Sequence, residues 1–167
     1  MRFGTTRFGE LEIDLDKSVR FEGGLFGFPG TQRFILVDPG GPGSAPSQGR
    51  GWLRWLQSVD DPDLAFVVLD PTFFRPDYEL VVEQETLASL ELGSIEEGIV
   101  LVVATVPETP REITANLKAP ILLNPHRRLA QQVILDDPRY STRHRVLEEL
   151  ARSGKGGSAN AGADPQG

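Results

Sequence analysis

The 167-residue sequence contains no cysteine, which excludes disulfide bonds, thiolate zinc sites and cysteine nucleophiles. It also lacks a Walker A loop and the GxGxxG, GxSxG and HExxH motifs. The N-terminal MRFGTTRFGELEID has no apolar core of the kind that a signal peptide needs. The longest mainly apolar run, Ile99 to Val106, is far shorter than the roughly 20 residues of a membrane helix. We therefore expect a cytoplasmic protein that does not enter a membrane.

The charge balance is acidic, with 24 Asp and Glu against 17 Lys and Arg and a formal net charge of −7. Such a surface repels phosphate backbones, so direct nucleic-acid binding is not expected. It would attract a basic protein partner. The alternative is that moderate acidity only keeps the domain soluble.

One domain is predicted over residues 1–153. The stretch PGGPGSAPSQGRG, Pro39 to Gly51, is too rich in Gly, Pro and Ser to pack, and it predicts a flexible loop at 39–51 between two strands. Residues 154–167 have a similar composition and are predicted to form a disordered C-terminal tail.

Apolar periodicity predicts mainly strands. Glu10 to Leu15 alternates between apolar and acidic residues, and the Phe8-Gly9 turn pairs it with Arg2 to Arg7 as a hairpin. The other predicted strands are Arg33 to Val37, Trp52 to Gln57, Leu64 to Leu69, Gly98 to Val106, Ala119 to Leu123 and Gln131 to Leu135. The Leu64 and Gly98 strands are apolar on both sides, which is typical of strands covered on two faces.

Two short helices complete the prediction, Glu83 to Leu92 and Arg143 to Ser153. In the second, Val146, Leu147, Leu150 and Ala151 would form the apolar face, with Glu148 and Arg152 paired on the other face. There is no room for a helix between most strands. The predicted fold is therefore mostly β: a compact antiparallel β-barrel-like domain with one or two short helices.

Catalytic constellations are weak in this sequence. His126 and His144 both lie among arginines, which disfavours metal binding, so exposed loop histidines are expected. Asp60, Asp61 and Asp63 cluster in one turn, but Pro62 and the missing closing glutamate do not fit a calcium loop. Acids at such positions usually stabilise turns. No catalytic residue, metal or cofactor is expected.

The aromatic residues suggest apolar contact sites. Phe26 and Phe28 lie in the Gly-rich stretch FEGGLFGFPG, and Phe73, Phe74 and Tyr78 follow a central strand in PTFFRPDY. Glycines beside rings allow sharp bends that leave rings partly exposed, where they can anchor a partner. The alternative for each ring is a place in the core.

Five sequence blocks resemble the flagellar assembly factor FliW family in content and order. They are FGELEID, FEGGLFGFPG with FILV, WLQSVDDPDLAFVVLDP with PDY, TANLKAP, and QQVILDDPRYSTRH. The resemblance spans about Phe3 to Arg145. The stretch at Pro39 to Gly51 and the tail after Ser153 depart from it.

The resemblance implies a non-enzymatic regulator that binds the translational regulator CsrA, a small basic RNA-binding homodimer, and the filament subunit flagellin. Flagellin would occupy the regulator and free CsrA to repress flagellin translation. The resemblance also implies a compact β-barrel-like fold.

Contact residues are assigned from residue type and position, not from the family. The candidates for a basic partner are Asp60, Asp61, Asp63, Asp77 and Glu79. The candidates for an apolar partner are Phe26, Phe28, Phe73, Phe74 and Tyr78. Two alternatives stay open: a metal-assisted hydrolase using Asp60, Asp61, Asp63 and Asp70, and a barrel with a deep small-ligand pocket.

Overall fold

The computed structural model describes residues 2–5, 9–12, 15–21, 23–28, 30–37 and 53–153. The predicted loop 39–51, Trp52 and the predicted tail 154–167 lie outside the described residues, so the predictions made for them remain predictions. The helices and strands of the described part are β1 (Arg2–Thr5), β2 (Gly9–Glu12), β3 (Val19–Phe21), β4 (Arg33–Val37), β5 (Leu53–Ser58), β6 (Ala65–Leu69), α1 (Gln84–Ser89), β7 (Ile99–Thr105), β8 (Thr114–Ala115), β9 (Ile121–Asn124), β10 (Leu129–Gln132), β11 (His144–Arg145) and α2 (Val146–Ser153).

The N-terminal hairpin is confirmed, since β1 pairs with β2 in antiparallel register from Arg2↔Glu12 to Thr5↔Gly9. Gly9 has a positive φ of 69°, a conformation that glycine adopts without strain, which explains its place at the turn. The second strand ends at Glu12. Leu15 instead begins a 3-10 turn, Leu15–Lys17, so the predicted strand was too long at its C-terminal end.

A closed barrel is the centre of the fold. Among the described residues, seven strands follow one another in the order β7-β6-β5-β4-β3-β10-β9, and the pairing of β9 with β7 closes the ring. The short strands β8 and β11 extend the sheet outward from β7. The mostly β, barrel-like prediction is confirmed.

One neighbouring pair in the barrel is parallel. β3 and β10 run in the same direction, with Leu129 opposite Arg20 and Ala130 opposite Phe21. The other pairs of the ring are antiparallel. The prediction of an antiparallel barrel therefore missed one pairing, because β3 has only three residues and its sequence has no clear period.

Two apolar layers lie on opposite faces of the sheet. The inner cluster fills the barrel and receives at least one residue from each of the seven strands, including Phe21, Phe34 and Val68. The outer cluster includes Val67 and Leu69 and lies on the other face. Because neighbouring residues of β6 point into different clusters, β6 is covered on both sides, as its apolar sequence predicted.

The C-terminal helix α2 packs differently from the prediction. Val146 and Glu149 are buried and Leu150 is half-buried, whereas Leu147 is exposed. Glu148 lies 3.5 Å from Arg145 rather than pairing with Arg152. The buried face of α2 thus contains a carboxylate that apolar periodicity did not identify.

Candidate partner-binding surfaces

The turn between β5 and β6, residues 58–64, carries the three aspartates and is called the acidic turn below. Ser58 Oγ accepts hydrogen bonds from the amides of Asp60 and Asp61 at 3.0 and 2.9 Å, and Asp61 Oδ1 accepts one from the amide of Asp63. Such side-chain to backbone bonds are the local alternative to a strand ladder. The acids therefore shape the turn while remaining exposed.

A buried glutamine holds the acidic turn from below. Gln57 is fully buried, and its Nε2 donates at 3.0 to 3.4 Å toward the carbonyl oxygens of Ser58, Asp61, Pro62 and Leu64. The carbonyls of Asp61 and Leu64 also accept backbone amides, so the Gln57 amide group adds to the bonds that fix the turn. No local sequence pattern indicates this role of Gln57.

The turn between β3 and β4 presents two phenylalanines. Leu25 and Phe28 form an isolated bridge around Gly27, whose positive φ of 89° suits glycine. Phe26 is 51% exposed and Phe28 is 40% exposed. The Phe28 ring meets the edge of Phe66 at 5.3 Å between centroids, and the Phe26 amide donates to Gln132 Oε1 at 2.9 Å. The first contact holds the Phe28 ring, and the second holds the backbone at Phe26.

These two turns lie at the same end of the barrel. Asp60 Oδ2 accepts hydrogen bonds from the amides of Gln32 and Arg33, and the Val59 amide donates to the Arg33 carbonyl. Within the described residues, Asp60 and Asp61 have no cationic side-chain partner. We call this surface, formed by Phe26, Phe28, Asp60, Asp61 and Asp63, the acidic–aromatic end.

The other five candidate residues lie on the outer layer beside α2 instead. Phe74 is 1% exposed and belongs to the core, so its ring is not available to a partner in this structure. Phe73 and Tyr78 are half-buried. The exposed acids Asp77 and Glu79 pair with Arg75 at 2.8 Å and with Arg139 at 3.1 Å. This second set therefore has mainly structural contacts.

Tyr78 is held by its hydroxyl group and by a second tyrosine. Its Oη donates to the Leu117 carbonyl at 2.7 Å, and its ring lies 4.7 Å from that of Tyr140. Burial, with smaller effects from Tyr140 and Asp137, raises the pKa of Tyr78 above its ordinary range. The hydroxyl group thus remains a neutral donor and stabilises the outer layer.

A buried ionic network joins α2 to the strand β11 and to the segment after β6. Glu149 accepts from His144 Nδ1 at 2.6 Å and from Arg75 Nη1 at 3.1 Å. His144 Nε2 accepts the Ser141 amide at 2.9 Å. His144 is therefore not the exposed loop histidine that its arginine neighbours suggested, whereas His126 is exposed as expected.

The sequence contained a signal for this network. Glu149 lies three residues after Val146 and directly before Leu150, so a helix places all three near the same face. A carboxylate on an apolar face needs a charged or hydrogen-bonding partner. A shallow depression of about 390 Å³ lies beside it, lined by Phe74, Arg75, Pro76, Asp77, Glu149 and Arg152.

The carboxylates considered for metal chemistry are not brought together. The strand β6 separates Asp63 from Asp70 by five strand residues, or roughly 17 Å at 3.3 to 3.4 Å per residue. Within the described ranges, no three His, Asp or Glu side chains are grouped so that they could hold a metal ion. In the same part of the chain, no helix is long and apolar enough to span a bilayer.

Comparisons with known proteins agree on one family. The sequence model described as FliW protein matches residues 2–146. Flagellar assembly factor FliW of Geotalea uraniireducens (strain Rf4) is 40% identical over 156 residues, which cover 93% of this chain and 90% of the relative. The protein of the same name from Syntrophotalea carbinolica is 42% identical over 139 residues, or 83% of this chain and 93% of the relative.

A solved structure supports the same assignment. The crystal structure of the flagellar assembly factor FliW matches with a TM-score of 0.77 and 34% sequence identity, covering 87% of this chain and 96% of that one. Sequence and fold agree over nearly the whole barrel and the outer layer. This chain therefore belongs to the FliW family of flagellar assembly factors.

Proposed function

We propose that this protein is a non-enzymatic cytoplasmic regulator of flagellar assembly that binds CsrA and flagellin and so couples the level of flagellin to its translation. The supporting observation is the acidic–aromatic end, where the exposed acids Asp60 and Asp61 and the exposed rings of Phe26 and Phe28 lie at the same end of the barrel. One surface thereby offers both negative charge and apolar area. The two partners would then compete for overlapping contacts.

The acidic turn would act mainly on CsrA. A basic RNA-binding protein is drawn to negative charge, and the same charge repels RNA phosphates once the two proteins have docked. This attraction operates over about 8 Å at physiological ionic strength, so added salt should weaken it. Charge at this position raises the association rate more than it slows dissociation.

The phenylalanines would act mainly on flagellin. An amphipathic helix can lay its apolar face against exposed rings that the rest of the fold holds still. Partly exposed aromatic residues are common anchors of protein interfaces. The contacts of Phe28 with Phe66, and of the Phe26 amide with Gln132, provide this support.

The first experiment measures CsrA association by stopped flow over a range of salt concentrations. The variant D60N/D61N/D63N removes three charges but keeps oxygen acceptors for the turn. We expect association about tenfold slower at low salt, with a flatter salt dependence. The control E91Q/E96Q/E97Q removes three exposed charges at the opposite end, because the turn before β7 and the turn before β6 lie at opposite ends of antiparallel strands.

The second experiment is calorimetry with flagellin, followed by competition. F26A/F28A should weaken flagellin binding at least tenfold, whereas I99A, at the other end of the barrel, should not. Flagellin should also release CsrA from the wild-type protein. If neither partner binds, the proposed function is wrong. If both bind together at full affinity, the overlap of their contacts is wrong.

A further inference from the structure

The segment between the 3-10 turn Pro71–Phe73 and α1 has the pattern of a strand but pairs with no strand. Over residues 79–83, Glu79, Val81 and Glu83 are exposed, whereas Leu80 and Val82 are half-buried and pack on the outer layers. An alternation of period two is the mark of extended backbone. Glu83 itself has extended angles, φ −74° and ψ 153°.

The middle of this segment has unused backbone hydrogen-bonding groups. Its ends are anchored, because the Glu79 amide donates to Tyr140 Oη at 2.9 Å and the Glu83 carbonyl accepts from the amides of the first turn of α1. Between them, the backbone of Leu80, Val81 and Val82 makes no hydrogen bond to any described residue. Unpaired N–H and C=O groups in an extended segment are a template for an incoming strand.

The outward side chains indicate what kind of strand would fit. Val81 is 83% exposed, the highest value among the exposed large hydrophobic residues of the described chain. Glu83 and Glu85 are exposed, and neither has a cationic partner among the described residues. On the outward row, Val81 is thus followed two residues later by the negative charge of Glu83.

We propose that residues 79–83 are an open strand edge that takes an extended segment of a protein partner by β-strand addition. Alternate residues of an extended segment offer their N–H and C=O groups to the same edge, so the incoming strand bonds to the Val81 amide and carbonyl, which give the affinity. The outward row selects the sequence. The partner segment carries an apolar residue opposite Val81, with a lysine or arginine two residues away that faces Glu83. This surface uses none of the residues of the acidic–aromatic end, and the inference does not depend on CsrA or flagellin binding there.

The test is an NMR titration of the full-length, isotopically labelled protein with the peptide acetyl-TKTVTKT-amide. We expect chemical-shift changes at the amides of Leu80, Val81 and Val82, and slower hydrogen exchange at the amide of Val81. The same peptide methylated on its backbone nitrogens should bind at least about tenfold more weakly, because strand addition depends on main-chain donors. The acidic peptide acetyl-TETVTET-amide should also bind more weakly than the basic one.

V81P, with V81T as its control, tests the backbone bonds, and E83K tests the charge. V81P removes one amide donor that the fold does not use, and proline keeps the preceding residue extended, so we expect at least about tenfold weaker binding with an otherwise unchanged spectrum. V81T keeps the amide and should bind within about threefold of wild type. E83K does not touch the backbone and should reverse the preference between the two peptides.

Any of three results would overturn the proposal. The first is an absence of shifts at residues 80–82 up to millimolar peptide, and the second is equal binding of the N-methylated peptide. The third is a set of shifts confined to Phe26 and Phe28. Retention of the peptide preference by E83K would also contradict it, and this result does not depend on how V81P folds.

Discussion

Replacing Glu149 with alanine should destabilise the protein more than any other change of an acidic residue in α2. The Glu149 side chain is 9% exposed and accepts from His144 at 2.6 Å and Arg75 at 3.1 Å, with Arg152 further away at 4.0 Å. His144 is almost as buried, at 11%. E149A would leave both donors without this acceptor in a site with little access to water.

The magnitude follows from how much of the network is buried. Breaking a buried ion pair by removing one partner costs about 3–5 kcal/mol. Arg75 keeps Asp77 at 2.8 Å and is partly exposed, which favours the lower end of that range. We therefore expect a loss of about 3 kcal/mol in the free energy of unfolding. At about 2–4 °C per kcal/mol for a domain of this size, Tm should fall by roughly 6–12 °C.

Urea and thermal unfolding at neutral pH measure this loss, with E148A as the matched control. Glu148 precedes Glu149 in the same helix, but its side chain is 59% exposed. Its ion pair with Arg145, at 3.5 Å, therefore lies on the surface. E148A should change stability by less than about 0.5 kcal/mol. An E149A protein within about 1 kcal/mol of wild type, or equal to E148A, would refute the idea that the buried network holds α2 in place.

Two further predictions concern titration of the outer layer. Hydrogen bonds from the Arg139 side chain and backbone lower the pKa of Asp137 to about 2, so its stabilising contribution should be present above pH 4 and lost as pH falls through about 2. NMR of the carboxyl carbon should show that midpoint, and R139A should move it toward the ordinary value of about 3.9. Burial raises the pKa of Tyr78, so above about pH 10 ionisation favours the unfolded chain and stability should fall, a loss that Y78F should reduce. At neutral pH, Y78F should cost about 1 kcal/mol in chemical unfolding, because the Leu117 carbonyl loses its donor.

Local sequence patterns were sufficient to predict the positions of the longer strands. The predicted strand at Arg33 to Val37 has the same bounds in the structure, and Leu64 to Leu69 differs from β6 by one residue. Their apolar runs and flanking turn residues are local signals that extend over a few positions. The positions of these strands can therefore be predicted from the sequence alone. The acidic turn was predictable for the same reason, since Asp61 accepts a hydrogen bond from the amide of Asp63, two residues away.

Short strands and long-range strand pairings could not be predicted from the sequence. β3, β8 and β11 have two or three residues each, which is too few to display a period. The parallel pairing of β3 with β10 and the closing contact of β9 with β7 join segments far apart in sequence. Such pairings depend on which faces become buried together, and no local pattern records that.

The candidate binding surfaces were likewise predicted in part from the sequence and decided in part by the tertiary structure. Sequence alone determined that Asp60, Asp61 and Asp63 form an exposed acidic turn, and that Phe26 and Phe28 lie in a glycine-rich bend, because turn chemistry and backbone freedom are local. Only the tertiary structure decided that these two turns meet at one end of the barrel, through the bonds of Asp60 to the chain before β4. It also decided that Phe74 is core and that His144 is paired with Glu149, because burial depends on what packs against a residue rather than on its sequence neighbours.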